Sequence, residues 1–183
     1  DIYVCDNQGW SGAPELVFKG RILRLRIRDN RVIKTTVVAY GMEHPNGIRI
    51  RGEYMYVTQS MLSRVKDPSG KLVSCVYRFH LDDEGIEITN TLEDKNILTT
   101  FITHNPECQY GADGIEFDNE GNLYVGNFGD GAVHKITFNE DGTVRQNFVW
   151  AKDPDNLKST DGMIMDEKGN LYIADFSANA IAM

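Results

Sequence analysis

The sequence predicts an all-β protein that forms part of a β-propeller, and a repeated strand pattern is the main observation behind this prediction. Asp113-Gly and Asp161-Gly each begin an apolar strand and stand eleven residues before a tyrosine, and Asn46-Gly stands ten residues before one. The tyrosines at the matching strand position are 53, 68 and 48 residues apart, and they are Tyr3, Tyr56, Tyr124 and Tyr172. This spacing is typical of four-stranded blades joined by loops of variable length.

The best copy of the repeat, residues 111–139, supports the same class at the level of single strands. Its sequence GADGIEFDNEGNLYVGNFGDGAVHKITFN contains three apolar runs separated by DNEGN and GDG. The runs are short, carry β-branched and aromatic residues, and are bounded by turn residues, which is typical of antiparallel strands. We therefore predict four-stranded antiparallel blades.

The blade units follow in chain order, at approximately residues 1–40, 46–104, 113–151 and 161–183. In the first unit, a polar loop at residues 7–19 with Trp10 and Gly12 precedes the alternating run RILRLRI, which is typical of a half-exposed strand. The second unit carries a long loop at residues 61–72. The whole chain shows about thirteen strands by this reading.

The first unit lacks an inner strand and the last lacks its outer strands. A propeller leaves no long sheet edge unpaired, because unpaired edges invite aggregation. We therefore expect residues 1–183 to be a single partial propeller domain of three to four blades. Further chain segments, or another chain, would complete it.

Composition limits the possible partners of this 183-residue chain. The net charge of −8, with 19 scattered Lys and Arg residues, argues against a nucleic-acid partner. No run of 18 apolar residues is present, so no membrane partner is expected. The spacing of Cys5, Cys75 and Cys108 does not fit a metal site, and we expect buried or free thiols. The compartment stays open, with the cytoplasm favoured over the periplasm or secretion.

Three segments resemble the six-bladed propellers of the regucalcin and gluconolactonase family: PNGIRIRGEYMYVTQS at 45–60, ADGIEFDNEGNLYVGNFGDGAVHKI at 112–136, and the opening strand with its loop and KGRILRL at 19–25. The resemblance implies a six-bladed fold and a divalent metal, usually calcium, on the central axis. It places an asparagine ligand at Asn46 and an aspartate with ligand and proton-transfer roles at Asp113. The family's glutamate ligand, and an asparagine and an arginine that contact substrate, would precede Asp1.

The repeat itself also brings Asn46, Asp113 and Asp161 together, because the inner strands of a propeller begin at one rim of the central channel. Three oxygen donors on one axis form a site for a hard cation such as calcium. The glycine after each donor would let the backbone turn sharply and approach the ion. The alternative is that each Asx-Gly pair only caps its strand by bonding nearby backbone amides.

Loops and histidines at the same rim are the other candidates. The loops 7–19 and 60–73 would form a substrate lid, since loops on a rigid scaffold commonly build sites. His44 and His104 are candidate proton shuttles, whereas His80 and His134 alternate with apolar residues and are expected to be structural. Gln59 departs from the aspartate found at the matching positions Asp6 and Asp175, so the pocket or local turn could differ there.

These observations favour a calcium-dependent hydrolase of sugar lactones or related cyclic esters, with Asp113 as the catalytic residue and a small-molecule lactone as the substrate. The cation would polarise the carbonyl while Asp113 takes a proton from the attacking water. No GxSxG, HExxH or P-loop sequence is present. One alternative is a non-catalytic propeller of the NHL type that binds a protein or ligand at this rim, with a structural metal. Another is related chemistry such as phosphotriester hydrolysis.

Overall fold

The computed structural model describes residues 1–8 and 13–183, so Trp10 and Gly12 of the first candidate lid lie outside the described residues. The described residues form fifteen strands and two short 3-10 helices, Pro14–Leu16 and Phe128–Asp130. The strands are β1 (Ile2–Asp6), β2 (Gly20–Arg28), β3 (Arg31–Met42), β4 (Pro45–Arg51), β5 (Tyr54–Gln59), β6 (Leu72–His80), β7 (Ile86–Glu87), β8 (Ile97–Thr103), β9 (Ala112–Phe117), β10 (Leu123–Asn127), β11 (Ala132–Phe138), β12 (Val144–Lys152), β13 (Met163–Met165), β14 (Leu171–Asp175) and β15 (Ala180–Ala182).

The strands assemble into four sheets that we number as blades in chain order. Blade 1 has the order β1-β2-β3-β7, blade 2 β4-β5-β6-β8, blade 3 β9-β10-β11-β12, and blade 4 β13-β14-β15. Every pairing is antiparallel except the one between β3 and β7. The all-β class and the organisation as part of a propeller are therefore confirmed.

The short strand β7 was not predicted from the sequence, and it joins the first two blades. Although it lies between strands of blade 2 in the chain, it pairs in parallel with the outer strand of blade 1. Arg24 of β2 holds the same connection, because it donates to the carbonyl of Leu81 at 2.6 Å and forms an ion pair with Glu84. Arg24 is thus buried, although it lies on a strand that the sequence predicted to be half-exposed.

The hydrophobic core lies between the blades, in three separate clusters. The cluster between blades 1 and 2 includes Ile22, Val38, Val57 and Tyr77. The next two clusters are centred on Ile115 between blades 2 and 3 and on Met163 between blades 3 and 4. Face-to-face packing of this kind fixes the inner strands of successive blades side by side, and it therefore positions whatever side chains stand where those strands begin.

Cys5, Cys75 and Cys108 are free thiols, with Cys75 buried, as the sequence indicated. Within residues 1–8 and 13–183, no helix has the length and apolar character needed to cross a membrane.

Candidate functional site

Each inner strand begins with a β-bulge formed by the Asx-Gly pair. In blade 2, Pro45 pairs with Gln59 and Ile48 with Val57, so that the two residues between them oppose a single residue of the next strand. The register of blade 3 shifts in the same way at the Asp113-Gly pair. Bulges bend a strand and re-aim its side chains, and they recur beside active sites. The three Asx side chains therefore share one backbone context.

The blade 4 copy of the bulge is defined by its hydrogen bonds. The amide of Asp161 donates to the carbonyl of Ala174 at 3.0 Å, and the amide of Ala174 donates to the carbonyl of Gly162 at 2.8 Å. Two residues of the inner strand thus oppose one residue of its neighbour, as in blades 2 and 3. We call the end of the blades at which the inner strands begin the upper rim.

The glycines of these pairs let successive blades approach closely. A Cβ on Gly47 would lie 2.8 Å from the carbonyl oxygen of Asp113, and a Cβ on Gly114 would overlap the carbonyl oxygen of Asp161. Neither glycine has a positive φ, so the sharp backbone turn that we expected from them is not their role. The glycine of one blade instead makes room for the Asx residue of the next, which brings the three predicted positions to neighbouring points of the upper rim.

Thr58 locks this arrangement between blades 2 and 3. Its buried hydroxyl accepts a hydrogen bond from the amide of Gly47 at 2.8 Å and donates one to the carbonyl of Asp113 at 2.6 Å. A buried hydroxyl satisfied on both sides costs little and fixes both backbones. The main chain of Asp113 is therefore held in place, while its side chain takes no part in the hydrogen bonds of Thr58.

The Asp113 carboxylate is the unusual group of the site. Its side chain is buried, with 5% of the residue exposed, and its Oδ1 has no hydrogen-bond partner among the described residues. Burial, with a further contribution from the negative charge of Asp161, raises the pKa of Asp113 to about 7. Burying a carboxylate without a partner is costly. Such groups concentrate at functional sites.

The side chains of the other two predicted ligands also form no hydrogen bonds with described residues. Asn46 is exposed and Asp161 is half-buried, and neither side chain hydrogen-bonds to another described residue. The Asx side chains therefore do not accept hydrogen bonds from the described backbone amides, which the alternative of simple strand capping requires. No ion pair between described residues involves Asp113 or Asp161.

These residues fit a hard divalent cation in their chemistry. The negative charge of Asp161 acts on Asp113, and no ion pair between described residues offsets either carboxylate. The guanidinium of Arg49 on β4 forms an ion pair with Glu116 at 3.0 Å and donates to the carbonyl of Met163 at 3.0 Å. Calcium prefers six to eight oxygen ligands, so three side chains would need backbone carbonyls, water or further side chains to complete the set. Across residues 1–8 and 13–183, no three His, Cys, Asp or Glu side chains are placed to hold a metal by themselves.

The position occupied by Gln59 has a structural role. Its Oε1 accepts from the amide of Glu43 at 3.0 Å, and its Nε2 donates to Asn90 at 2.9 Å. At the matching positions, Asn127 bonds Thr103 and Asp175 accepts from the amides of Lys158 and Ser159. All three side chains are buried. Each forms hydrogen bonds with the part of the chain that leads from the preceding blade into its own blade. The difference at Gln59 therefore lies in the buried hydrogen bonds that this residue makes.

The predicted histidine and lid residues have more ordinary surroundings. His104 is exposed and its Nδ1 lies 3.0 Å from Asp130. Burial lowers the pKa of His44, which is half-buried. His134 lies 3.0 Å from Asn147, which agrees with a structural role. The second candidate lid borders a cavity of about 600 Å³ whose opposite wall is residues 103–109, and none of the three predicted ligands lines it.

A row of aromatic rings that the sequence did not predict joins segments at the upper rim. The His44 ring is 5.3 Å from Tyr110, Tyr110 is 6.1 Å from Phe128, and Phe128 is 6.2 Å from Phe176, between centroids. The row joins the segments that precede β4 and β9 to those that follow β10 and β14. Phe128 and Phe176 both follow the second strand of a blade, which was the available sequence signal.

Comparison with known proteins supports the fold. No protein-family model matches the chain, and no curated protein matches it in sequence. The crystal structure of a candidate gluconolactonase matches with a TM-score of 0.51 and 17% identity, over 86% of this chain and 50% of that one. A luciferin-regenerating enzyme matches with a TM-score of 0.46 and 18% identity, over 85% of this chain and 44% of that one. A chain of a nidogen/laminin complex gives a TM-score of 0.36 and 18% identity, over 87% of this chain and 68% of that one.

This chain thus spans about half the length of the first two structures. The resemblance predicted from the sequence is confirmed as a resemblance of fold, through the candidate gluconolactonase.

Proposed function

We propose that this chain carries the catalytic carboxylate and part of the cation site of a calcium-dependent hydrolase that opens lactones or related cyclic esters. The observation that carries the proposal is the Asp113 carboxylate, which is buried, has an unpaired Oδ1 among the described residues, and has its pKa raised by burial and by the charge of Asp161. A structural aspartate would be expected to have hydrogen-bond partners. This one is positioned by its backbone and leaves its side chain for a ligand.

Asn46, Asp113 and Asp161 would hold the cation at the upper rim. When bound, a divalent cation would polarise the ester carbonyl and stabilise the negative charge that develops on its oxygen. It would also offset the repulsion between the two carboxylates, and so it would lower the pKa of Asp113 from its raised value. The neighbouring blades hold these donors on a rigid frame, which favours preorganised binding.

Asp113 would act as the general base of the reaction. Its carboxylate accepts a proton from water as the water oxygen bonds to the carbonyl carbon, and the ring C–O bond then breaks. The same proton passes to the departing ring oxygen, which gives a hydroxy acid. The raised pKa of Asp113 belongs to the site without a cation. With the cation bound, the carboxylate would be ionised at neutral pH and would therefore be in the form that accepts the proton.

Lactone hydrolysis by the full-length protein tests the proposal. Acid release at constant pH is followed over a panel of lactones and cyclic esters, first with a chelator and then with increasing calcium. We expect turnover only with the cation and its return when calcium is restored. Turnover that persists in the chelator would contradict the cation's role, and no turnover on any ester, with the fold intact, would leave the alternative of a binding propeller.

A phosphotriester included in the panel separates the second chemistry from the first, since both reactions would use the same cation and base. The non-catalytic alternative is less favoured by the site. It predicts that Asn46 and Asp113 bond to backbone amides, and neither side chain does so among the described residues.

A further inference from the structure

One arginine connects the three inner strands at whose starts the candidate ligands stand. Arg49 lies on β4, and its Nε donates to Oε2 of Glu116 on β9 at 3.0 Å. Its Nη2 donates to the main-chain carbonyl of Met163 on β13 at 3.0 Å. A single side chain of blade 2 therefore bonds to the inner strands of both blade 3 and blade 4.

These contacts lie a short way along each strand from the upper rim. Arg49 and Glu116 each stand three residues after a candidate ligand, and Met163 stands two residues after one. A strand rises about 3.3 Å per residue, so each contact is within roughly 10 Å of a ligand position along the backbone. The spacing of the strands at this level therefore affects the spacing of the ligand positions.

The side of β4 that carries Arg49 is also the side that approaches Asp113. Gly47 precedes Arg49 by two residues, and alternate residues of a strand face the same way. A Cβ on Gly47 would lie 2.8 Å from the carbonyl oxygen of Asp113. The same face of β4 thus contacts the backbone of Asp113 at the rim and, through Arg49, the side chain of Glu116 further along β9.

The hydrogen bonds of Arg49 and Glu116 hold both side chains in one orientation. All three nitrogens of the guanidinium are bonded, because Nη1 donates to the carbonyl of Ile48 at 2.8 Å. Glu116 accepts from Arg49 through Oε2 and from the amide of Phe117 through Oε1, at 2.9 Å. Charge-assisted bonds to a planar guanidinium are strong and directional. This arrangement suits a connection between strands rather than a contact with substrate.

We propose that Arg49 is a positioning residue for the candidate cation site, because it connects β9 and β13 to β4 and so fixes the spacing of the three candidate ligands. This inference rests on the proposed function of the upper rim and adds a residue that touches neither cation nor substrate. Calcium needs its ligand oxygens at about 2.3–2.6 Å, so a small separation of the strands would let water replace a protein ligand.

The test replaces the guanidinium and measures cation binding by the full-length protein. Arg49→Met keeps an unbranched side chain but loses every donor, and we expect calcium affinity in titration calorimetry to fall about tenfold. Terbium luminescence lifetimes in H2O and D2O count the waters on a bound Tb³⁺ ion, and we expect about one more water in the variant. Arg49→Lys keeps a charged donor and should have an intermediate affinity. It decides the question if Arg49→Met does not fold.

Arg51→Met is the matched control on the same strand. Arg51 also connects blade 2 to blade 3, because it donates to the carbonyl of Gly121 and lies 5.3 Å from the centroid of the Phe117 ring. It is nearer the lower rim, and no hydrogen bond between described residues joins it to blade 4. Both variants should lower Tm by a few degrees. Arg51→Met should keep its calcium affinity within about twofold of the wild type.

The outcomes separate this inference from the proposed hydrolysis. Calcium affinity that Arg49→Met leaves unaltered, or that both variants reduce equally, would overturn the role of Arg49 and leave the hydrolase proposal standing. Weaker binding in Arg49→Met alone would support the inference even if no ester were turned over. A wild type that binds no calcium would overturn both proposals.

Discussion

Aspartates at the two ends of the inner strands differ in their hydrogen bonding. At the lower rim, in the turns that follow β9 and β13, Asp118 accepts two hydrogen bonds from Asn122 at 2.8 Å and Asp166 accepts two from Asn170 at 2.8 Å. Both aspartates also accept a bond from a tyrosine hydroxyl. At the upper rim, five residues earlier in each case, Asp113 and Asp161 have no such partners among the described residues.

The pKa values express the same contrast. The hydrogen bonds from Asn170 hold the pKa of Asp166 below its ordinary value, whereas burial and Asp161 raise that of Asp113. The turns of the lower rim thus have hydrogen-bonded aspartates and close the hairpins. The carboxylates of the upper rim form no such bonds with described residues. The difference supports the proposal that the upper rim serves a ligand.

The largest expected effect is a difference in hydrolase activity between variants of the upper rim and of the lower rim. Asp113→Asn keeps the shape of the side chain but removes the base and one charged ligand, so we expect kcat/KM for lactone hydrolysis to fall about 1,000-fold. Asp118→Asn, in the lower turn of the same strand, should stay within about twofold of the wild type. Steady-state kinetics of both variants make the comparison. Equal losses in the two variants would remove the functional distinction between the rims.

The next effect concerns the close approach of the blades. Gly114→Ala places a methyl group against the carbonyl of Asp161, and we expect the free energy of unfolding to fall by about 3 kcal/mol. In the 183-residue chain by itself, Gly162→Ala is the matched control, because a Cβ there meets no described atom within 4 Å. It should change stability by no more than about 0.5 kcal/mol. Denaturant titration measures both, and similar losses would contradict the role assigned to Gly114.

A third prediction concerns the pH dependence of stability without a cation. The pKa of Asp113 is about 7 in the folded chain and 3.8 as the ordinary value, so the folded state favours the protonated form. Its contribution to stability is therefore complete below pH 3.8 and is lost as the pH rises through about 7. Between pH 5 and 8, the free energy of unfolding should fall by roughly 2–3 kcal/mol more in the wild type than in Asp113→Asn.

Chemical denaturation in a chelator at several pH values measures that difference. Other titrating groups, such as His44, are common to both proteins and cancel in the comparison. A wild type and a variant with parallel pH profiles would contradict the desolvated state of Asp113. Added calcium should reduce the difference, because it stabilises the ionised carboxylate.

The smallest effect is expected at the lower rim. Asp118→Asn removes the acceptor for the side-chain amide of Asn122 and for the Tyr124 hydroxyl, while the other oxygen can still accept from the Asn122 backbone amide. We expect a loss of about 1 kcal/mol in the free energy of unfolding, as is usual for such bonds. Thermal or denaturant unfolding measures it. A larger loss than that of Gly114→Ala would reverse the ranking of the two rims.

Much of the fold could be predicted because the repeat is local. Asx-Gly before a strand and tyrosine within the next one mark the start of blades 2, 3 and 4, and the structure has its sheets there. The strand β7 could not be found in this way, since two residues carry no periodicity and their pairing with β3 depends on how the blades pack. The same holds for Arg24, whose burial comes from the connection at residues 81–84.

The candidate site could also be predicted only in part, for the same reason. Asn46, Asp113 and Asp161 could be placed at one rim, because each begins an inner strand of the repeat. The buried hydrogen bonds of Gln59 and the aromatic row could not, since both depend on contacts between segments far apart in the chain. Sequence alone also misassigned the glycines, whose packing against the next blade becomes visible only when the blades are assembled.

Calcium binding measured by titration calorimetry is the most direct test of the central claim that the Asp113 carboxylate at the upper rim is kept for a cation. The full-length wild type, Asp113→Asn and Asp118→Asn are compared at the same pH. The account predicts binding to the wild type and to Asp118→Asn with similar affinity, and at least about a 100-fold weaker affinity for Asp113→Asn, because a charged ligand is lost. Unchanged calcium affinity in Asp113→Asn, or no binding to the wild type, would contradict it.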